Sequence, residues 1–244
     1  MRALIVGASA GVGRALSESL AARGYDLVLL ASDARDLGAQ AVHLRLVYGV
    51  QVTGIAADAS QPEVCLEQVK SAIETFRVFD SVFFPIGASR TDDGGLLPLV
   101  EAQRLLNVNL VTVVGVIGYV LPSMLEAGGG TLVGFGSVAA IRGRGSNVVY
   151  AAAKRGLMSY FESLQHLTAH TGVRVHFYQL GYVATQQSFG KRMLFSPATP
   201  QRIAKTVVRN LGQDRIFTFL PGYWAFIARI VSNLPWPIFK RLDF

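Results

Sequence analysis

The feature that most constrains this chain is a rhythm in which short runs rich in Val, Ile and Leu alternate with longer segments whose apolar residues recur at helical spacing. Seven runs read as strands, at residues 3–6, 27–31, 51–57, 81–86, 131–136, 174–179 and 216–219. Most are continuously apolar, as strands covered on both faces must be, which predicts parallel pairing. Segments of helical period fall between them, at 12–23, 34–48, 62–76, 98–124, 148–170 and 200–211. No internal repeat or low-complexity linker interrupts this order. The expectation is an α/β fold, a doubly wound parallel sheet of about seven strands with helices on both faces, and residues 1–244 forming one domain. With 51% hydrophobic residues, the chain has ample material for a continuous core.

Charge and cysteine narrow the function classes. Cys65 is the single cysteine and has no intramolecular partner, and no charged-then-apolar leader precedes the first strand. A reducing cytoplasm is the expected location. Of the formal charge of +7, residues 201–244 supply seven Lys or Arg against Asp214 and Asp243, a surplus of five. No basic run with interleaved aromatics and no zinc-finger spacing accompanies it, so nucleic acid is not an expected partner. No apolar stretch reads as long enough to span a bilayer.

The first strand runs directly into GASAGVG, where Gly7, Gly11 and Gly13 precede a helix starting near Val12. Glycines here let the backbone turn tightly against a pyrophosphate, whose charge meets the helix N-terminus. The expectation is a Rossmann-type dinucleotide site formed by Gly7, Ser9, Ala10, Gly11, Val12 and Gly13; the alternative is an ordinary turn of small residues. After the third strand, Asp58 and Ala59 stand where the adenine would lie, although an aspartate there serves equally well as a helix cap. At the end of the second strand, Ala31 and Ser32 occupy the place where NAD-selecting enzymes present an acid to the ribose. Ser32 and Arg35 suit a 2′-phosphate, while Asp33 opposes it. NADP(H) is favoured and NAD(H) stays open.

Tyr150 and Lys154 stand four residues apart in YAAAK, on one face of the helix from 148. A free phenol titrates near pH 10 and transfers protons poorly at neutral pH; an adjacent ammonium favours the phenolate and brings it into range. Ser137, at the end of the fifth strand, is suited to hold a substrate carbonyl through its hydroxyl. Each residue alone has a bland reading as core aromatic, solvated charge and cap.

Taken together, these motifs resemble the classical short-chain dehydrogenase/reductase family over essentially the whole chain. Gly7, Gly11 and Gly13 match its cofactor glycines, Asn109 in NVNL its helix asparagine, and Ser137, Tyr150 and Lys154 its catalytic set. The resemblance implies that Tyr150 protonates a carbonyl oxygen as hydride leaves the nicotinamide. It further implies that Lys154 lowers the tyrosine pKa and binds the nicotinamide ribose, that Ser137 orients substrate, and that Asn109 holds a relay water. Homodimers or homotetramers are implied as well. The chain departs from the family in VFFPIG, which keeps only Gly87 of the usual strand end. It departs again in LGYVAT, where Leu180 replaces a proline and Gly181, Val183 and Thr185 remain to meet the nicotinamide amide.

Two segments stand outside the strand–helix rhythm. Residues 184–200 follow the sixth strand, where a substrate-covering loop is expected. Residues 221–244 combine two tryptophans and many aliphatic residues with Arg229, Lys240 and Arg241. This tail and IRGRGSNVVYAAAK resemble a subgroup that includes decaprenylphosphoryl 2-keto-ribose reductases, which implies a lipid-linked carbonyl substrate. The tail suits either peripheral contact with the inner face of a membrane or burial against protein. Arg142 and Arg144 are read either as contacts for an anionic group or as surface charges. Glu162, His166 and His170 lie at successive helical steps and read as a solvated or subunit-facing stripe, with no metal expected. The leading expectation is an NADP(H)-preferring ketone reductase acting on a small-molecule or lipid-linked carbonyl. The competing one is a cofactor-binding regulator or scaffold with little catalysis.

Overall fold

A computed structural model describes residues 1–76, 78–185, 195–213 and 216–242 of the chain. The apolar runs become β1 (Arg2–Val6), β2 (Asp26–Ala31), β3 (Val52–Ala56), β4 (Ser81–Phe84), β5 (Gly130–Ser137), β6 (Val173–Leu180) and β7 (Phe217–Leu220). They pair in parallel in the order β3-β2-β1-β4-β5-β6-β7. The strand order reverses between β1 and β4, which opens a crevice beyond their C-terminal ends, the place where doubly wound sheets bind ligands.

The helices are α1 (Gly11–Ala21), α2 (Ala34–Tyr48), α3 (Pro62–Phe76), α4 (Leu99–Leu106), α5 (Thr112–Glu126), α6 (Val148–Thr168), α7 (Pro200–Arg209), α8 (Trp224–Asn233) and α9 (Trp236–Phe239). On one face of the sheet, α1, α2 and α7 bury Leu16, Leu20, Leu44 and Val207 against Ile5 and Leu29. On the other, α3, α5 and α6 bury Val69, Val116, Leu157 and Phe161 against Leu4, Val82 and Phe84. Both sides of the central sheet are therefore covered, which is why most of its strands read as unbroken apolar runs.

Three expectations are corrected. The strand expected at 81–86 stops at Phe84 because Pro85 brings no N–H to the ladder. The single helix expected at 98–124 is α4, a five-residue π turn (Asn107–Val111) and α5. Its side chains reach out of the helix to the β3–α3 connection: Asn107 Nδ2 donates to Ser60 O at 3.0 Å and Thr112 Oγ1 to Ala59 O at 2.8 Å. The segment Leu99–Glu126 is also long and apolar enough to cross a membrane, with mean hydropathy 1.9 over its richest 18 residues. Val113, Val116, Ile117, Val120 and Met124 are spent inside the core, as expected of a core helix rather than a span.

Candidate active site

The glycine turn after β1 is built by sterics. Gly7 and Gly11 have φ of +97° and +50°, in the region that favours glycine. A Cβ on Gly13 would stand 1.9 Å from Gly7 O, so this helix start packs onto the turn only without a side chain. The N-cap of α1 is Ala10, which offers no capping oxygen, and no acid lies in the first turn. The helix N-terminus therefore presents N–H groups and positive potential to the crevice.

This crevice is a cleft of about 980 Å³. Of the residues singled out from sequence, Gly7, Ser9, Ala10, Gly11, Val12, Ser32, Asp58, Ala59, Gly87, Ser137, Tyr150, Lys154, Gly181, Val183 and Thr185 line it. The side-chain-free turn, the uncapped helix and the elongated cleft between adenosine-side and catalytic residues fit a dinucleotide. Gly13 lies just behind the turn. Asp58 spends one carboxylate oxygen on Ser60 N–H at 2.9 Å, which makes it a turn residue as well as a wall residue. Arg35 is exposed on α2 and lies outside the cleft wall. Arg14 takes that place instead, with Nε donating to Ser9 O at 3.0 Å and the guanidinium 3.5 Å from the Asp36 carboxylate.

At the other end, α6 and the tip of β5 bring Ser137, Tyr150 and Lys154 together. The Ser137 hydroxyl lies beside the Tyr150 phenol. Burial pushes that phenol above its ordinary pKa, and the nearby Ser137 opposes the rise. Lys154 is not among the causes of that shift. The Lys154 ammonium donates instead to Ile86 O at 3.1 Å and Phe135 O at 3.2 Å, and desolvation dominates the phenol. Burial also pulls Lys154 down, to about 8. Asn109 is fully buried in the π turn, with Nδ2 donating to Ala88 O at 2.8 Å and Leu105 O at 2.9 Å while Oδ1 accepts from Ala88 N at 3.3 Å. A Cβ on Gly87 would come within 3.1 Å of Asn109 Oδ1 and 3.3 Å of Lys154 Nζ, so glycine lets amide and ammonium share one corner.

The N-terminus of α6 depends on a residue the sequence reading passed over. The N-cap position is held by Asn147 at φ +60°, whose side chain makes no cap bond. Asp93, only 2% exposed, does the capping from the β4–α4 connection: its carboxylate accepts Val149 N at 3.0 Å and Tyr150 N at 2.9 Å. The same connection is tied down by Arg90, which reaches Asp92 at 2.8 Å and Glu101 at 2.6 Å. Asp93→Ala is expected to cost about 2 kcal/mol, because two helix N–H groups lose a charged acceptor. Asp93→Asn keeps one acceptor and falls between. Thermal unfolding checks the first effect, and a drop in kcat with cofactor affinity unchanged checks that the loss reaches Tyr150.

The tail closes the outer end of the cleft. Trp224, Ile227, Ala228 and Val231 of α8 line the wall beside Ile141, Arg142 and Arg144. The indole lies so close over Gly181 that a Cβ there would meet Trp224 Nε1 at 1.8 Å. Arg142 fixes this lid-like arrangement: its guanidinium donates to Val231 O at 2.8 Å, also bonds Leu234 O, and stacks 4.0 Å over the Phe239 ring. Beside the two readings open from sequence, a contact for an anionic group or a surface charge, the structure gives Arg142 a further part as a clasp on the tail. For the expected loop at 184–200, residues 186–194 lie outside the described residues. Its base is a bridge between Val183 and Ala198.

Sheet order, glycine turn and cleft define a dinucleotide-binding α/β protein. Residues 1–192 match the family model for short chain dehydrogenases. An uncharacterized oxidoreductase of Myxococcus xanthus is 30% identical over 242 residues, covering 97% of this chain and 94% of its own. The 3-oxoacyl-acyl-carrier-protein reductase FabG of Escherichia coli is 30% identical over 190 residues, covering 76% of this chain and 75% of FabG. The X-ray structure of an alcohol dehydrogenase from the archaeon Thermococcus sibiricus, complexed with 5-hydroxy-NADP, matches with a TM-score of 0.78 at 27% identity, over 89% of this chain and 94% of that one. The chain belongs to the short-chain dehydrogenase family and is an oxidoreductase.

Proposed function

We propose that this protein is an NADP(H)-preferring ketone reductase in which Tyr150 is the general acid. The observation that carries the reading is the gathering of Ser137, Tyr150 and Lys154 at one end of a cleft whose other end is the uncapped, glycine-built turn. Gly7, Ser9, Gly11 and the α1 N-terminus hold the pyrophosphate, Asp58 and Ala59 flank the adenine, and Lys154, Gly181, Val183 and Thr185 hold the nicotinamide half. When bound, the nicotinamide supplies hydride to the carbonyl carbon. Ser137 donates to the carbonyl oxygen, and Tyr150 passes its proton to that oxygen as it becomes the alcohol. A phenol raised by burial keeps its proton at neutral pH, the state that reduction needs and oxidation does not. Lys154, held near 8, is matched to returning a proton from solvent. Asn109 positions Gly87, Ala88 and the π turn around that ammonium.

Arg14 and Ser32 at the adenosine end support a 2′-phosphate, as does the ligand of the Thermococcus sibiricus relative. The FabG relative supports a keto substrate. The wall of Trp224, Ile227 and Val231 suits a ketone on a bulky apolar body, a class that includes the lipid-linked sugars of the decaprenylphosphoryl 2-keto-ribose reductases. Exposed Val111, Tyr119 and Leu125 support assembly into homodimers or homotetramers. The test is cofactor oxidation by the purified protein across sugar, steroid, acyl and quinone ketones with NADPH and NADH. NADPH is expected to be used in preference. Arg14→Ala is expected to weaken NADPH by about tenfold to a hundredfold, as loss of a charge-assisted bond does, and to leave NADH unchanged. Equal losses for both cofactors would remove Arg14 from the phosphate site.

A further inference from the structure

The tail has two apolar faces and only one is used. On α8, Trp224, Ile227, Ala228 and Val231 face the cleft, whereas Phe226, Arg229, Ile230 and Asn233 form an outer stripe at helical spacing. Phe226 is 69% exposed and Trp236 64%, and Ile230 and Ile238 are exposed as well. The Arg142 clasp on Val231, Leu234 and Phe239 holds α8 and α9 in one fixed relation, so these residues belong to a single surface. Contiguous exposed apolar groups on that scale mark an interaction site.

Charge identifies the partner. From Ile216 to Leu242 the chain carries Arg229, Lys240 and Arg241 and no acid. The Lys240 backbone N–H donates to Trp236 O at 2.9 Å, which places Lys240 one helical turn beyond the exposed Trp236, and Arg229 stands between Phe226 and Ile230 in sequence. A second copy docked by two-fold symmetry would present this same patch and oppose cations to cations. A bilayer with anionic headgroups accepts aromatic and aliphatic side chains at the acyl boundary and pairs the cations with phosphate.

We infer that the outer face of α8 and α9 is a docking surface for anionic membrane, lying directly behind the wall of the substrate cleft. The surface stands independently of the reductase reading, and its test involves no turnover. The intact protein is expected to co-sediment with vesicles of phosphatidylglycerol and phosphatidylcholine, and much less with phosphatidylcholine alone. The loss on neutralising each cation is about fivefold. Phe226→Glu combined with Trp236→Glu is expected to abolish co-sedimentation while leaving thermal unfolding unchanged, since both side chains are largely exposed and neither lines the cleft. Trp236 fluorescence should shift to the blue on vesicles, and Trp236→Phe should remove the shift. Failure of the intact protein to bind anionic vesicles at low ionic strength overturns the inference. So does a double variant that still binds vesicles but sediments as a smaller species, which would make the patch a contact between copies.

Discussion

Tyr150→Phe should turn over ketones about 10³-fold more slowly than the parent while binding NADPH with nearly the same affinity, because it deletes one oxygen and leaves the cradle alone. In the proposed reaction the phenol is the group that gives a proton to a carbonyl oxygen held by Ser137, and both residues line this end of the cleft. Lys154 is turned away to Ile86 O and Phe135 O, so the ammonium cannot substitute for the missing hydroxyl without breaking both bonds. Phenylalanine fits the same space, so unfolding is not a confounding outcome. Stopped-flow measurement of cofactor oxidation, with binding followed by cofactor fluorescence, separates the two effects. Undiminished turnover in the variant would remove Tyr150 as the acid. Parent protein that binds NADPH yet reduces no carbonyl would instead favour the regulator or scaffold.

What was legible in the sequence was what is local. Tyr150 and Lys154 are one helical turn apart, and Gly7, Gly11 and Gly13 sit within a single turn, so spacing alone placed them. Even Ser137 was recoverable, because it ends the run that became β5. Asp93 was not, since TDDGG has the composition of an ordinary surface turn and the helix it caps begins more than fifty residues later. Likewise, the π turn at NVNLV has no local signature; what accompanies it are bonds from Asn107 and Thr112 to the β3–α3 connection and from Asn109 to Ala88 and Leu105. Arg14 carries no signal in the sequence for a related reason. Proximity to Ser32 in sequence singles out Arg35, which is exposed in the first turn of α2, whereas Arg14 on α1 lines the cleft and faces Asp36. In the tail, composition announced excess apolar surface, yet burial and exposure both proved true of it. Only the position of α8 at the cleft separates its inner face from its outer one.

The protein's most severe single-atom sensitivity is expected at Gly13. A Cβ there would stand 1.9 Å from Gly7 O, 2.9 Å from Gly7 C and 3.0 Å from Ala8 Cα, all of them backbone atoms with no rotamer to change. Relief requires α1 to lift off the turn, and the N–H groups at its start move with it. Gly13→Ala is therefore expected to weaken NADPH binding by about a hundredfold or more, corresponding to about 3 kcal/mol of overpacking strain. Melting temperature should fall as well, because Ser17 Oγ donates to Gly13 O at 2.9 Å and shares the displacement. The same substitution at Gly38, on α2, meets nothing within 4 Å and should be neutral or stabilising by about 0.5–1 kcal/mol. Fluorescence titration of both variants, alongside thermal unfolding, makes the comparison. Binding by Gly13→Ala equal to that of Gly38→Ala would mean that α1 does not rest on the glycine turn, and the phosphate cradle built on that contact would fall with it.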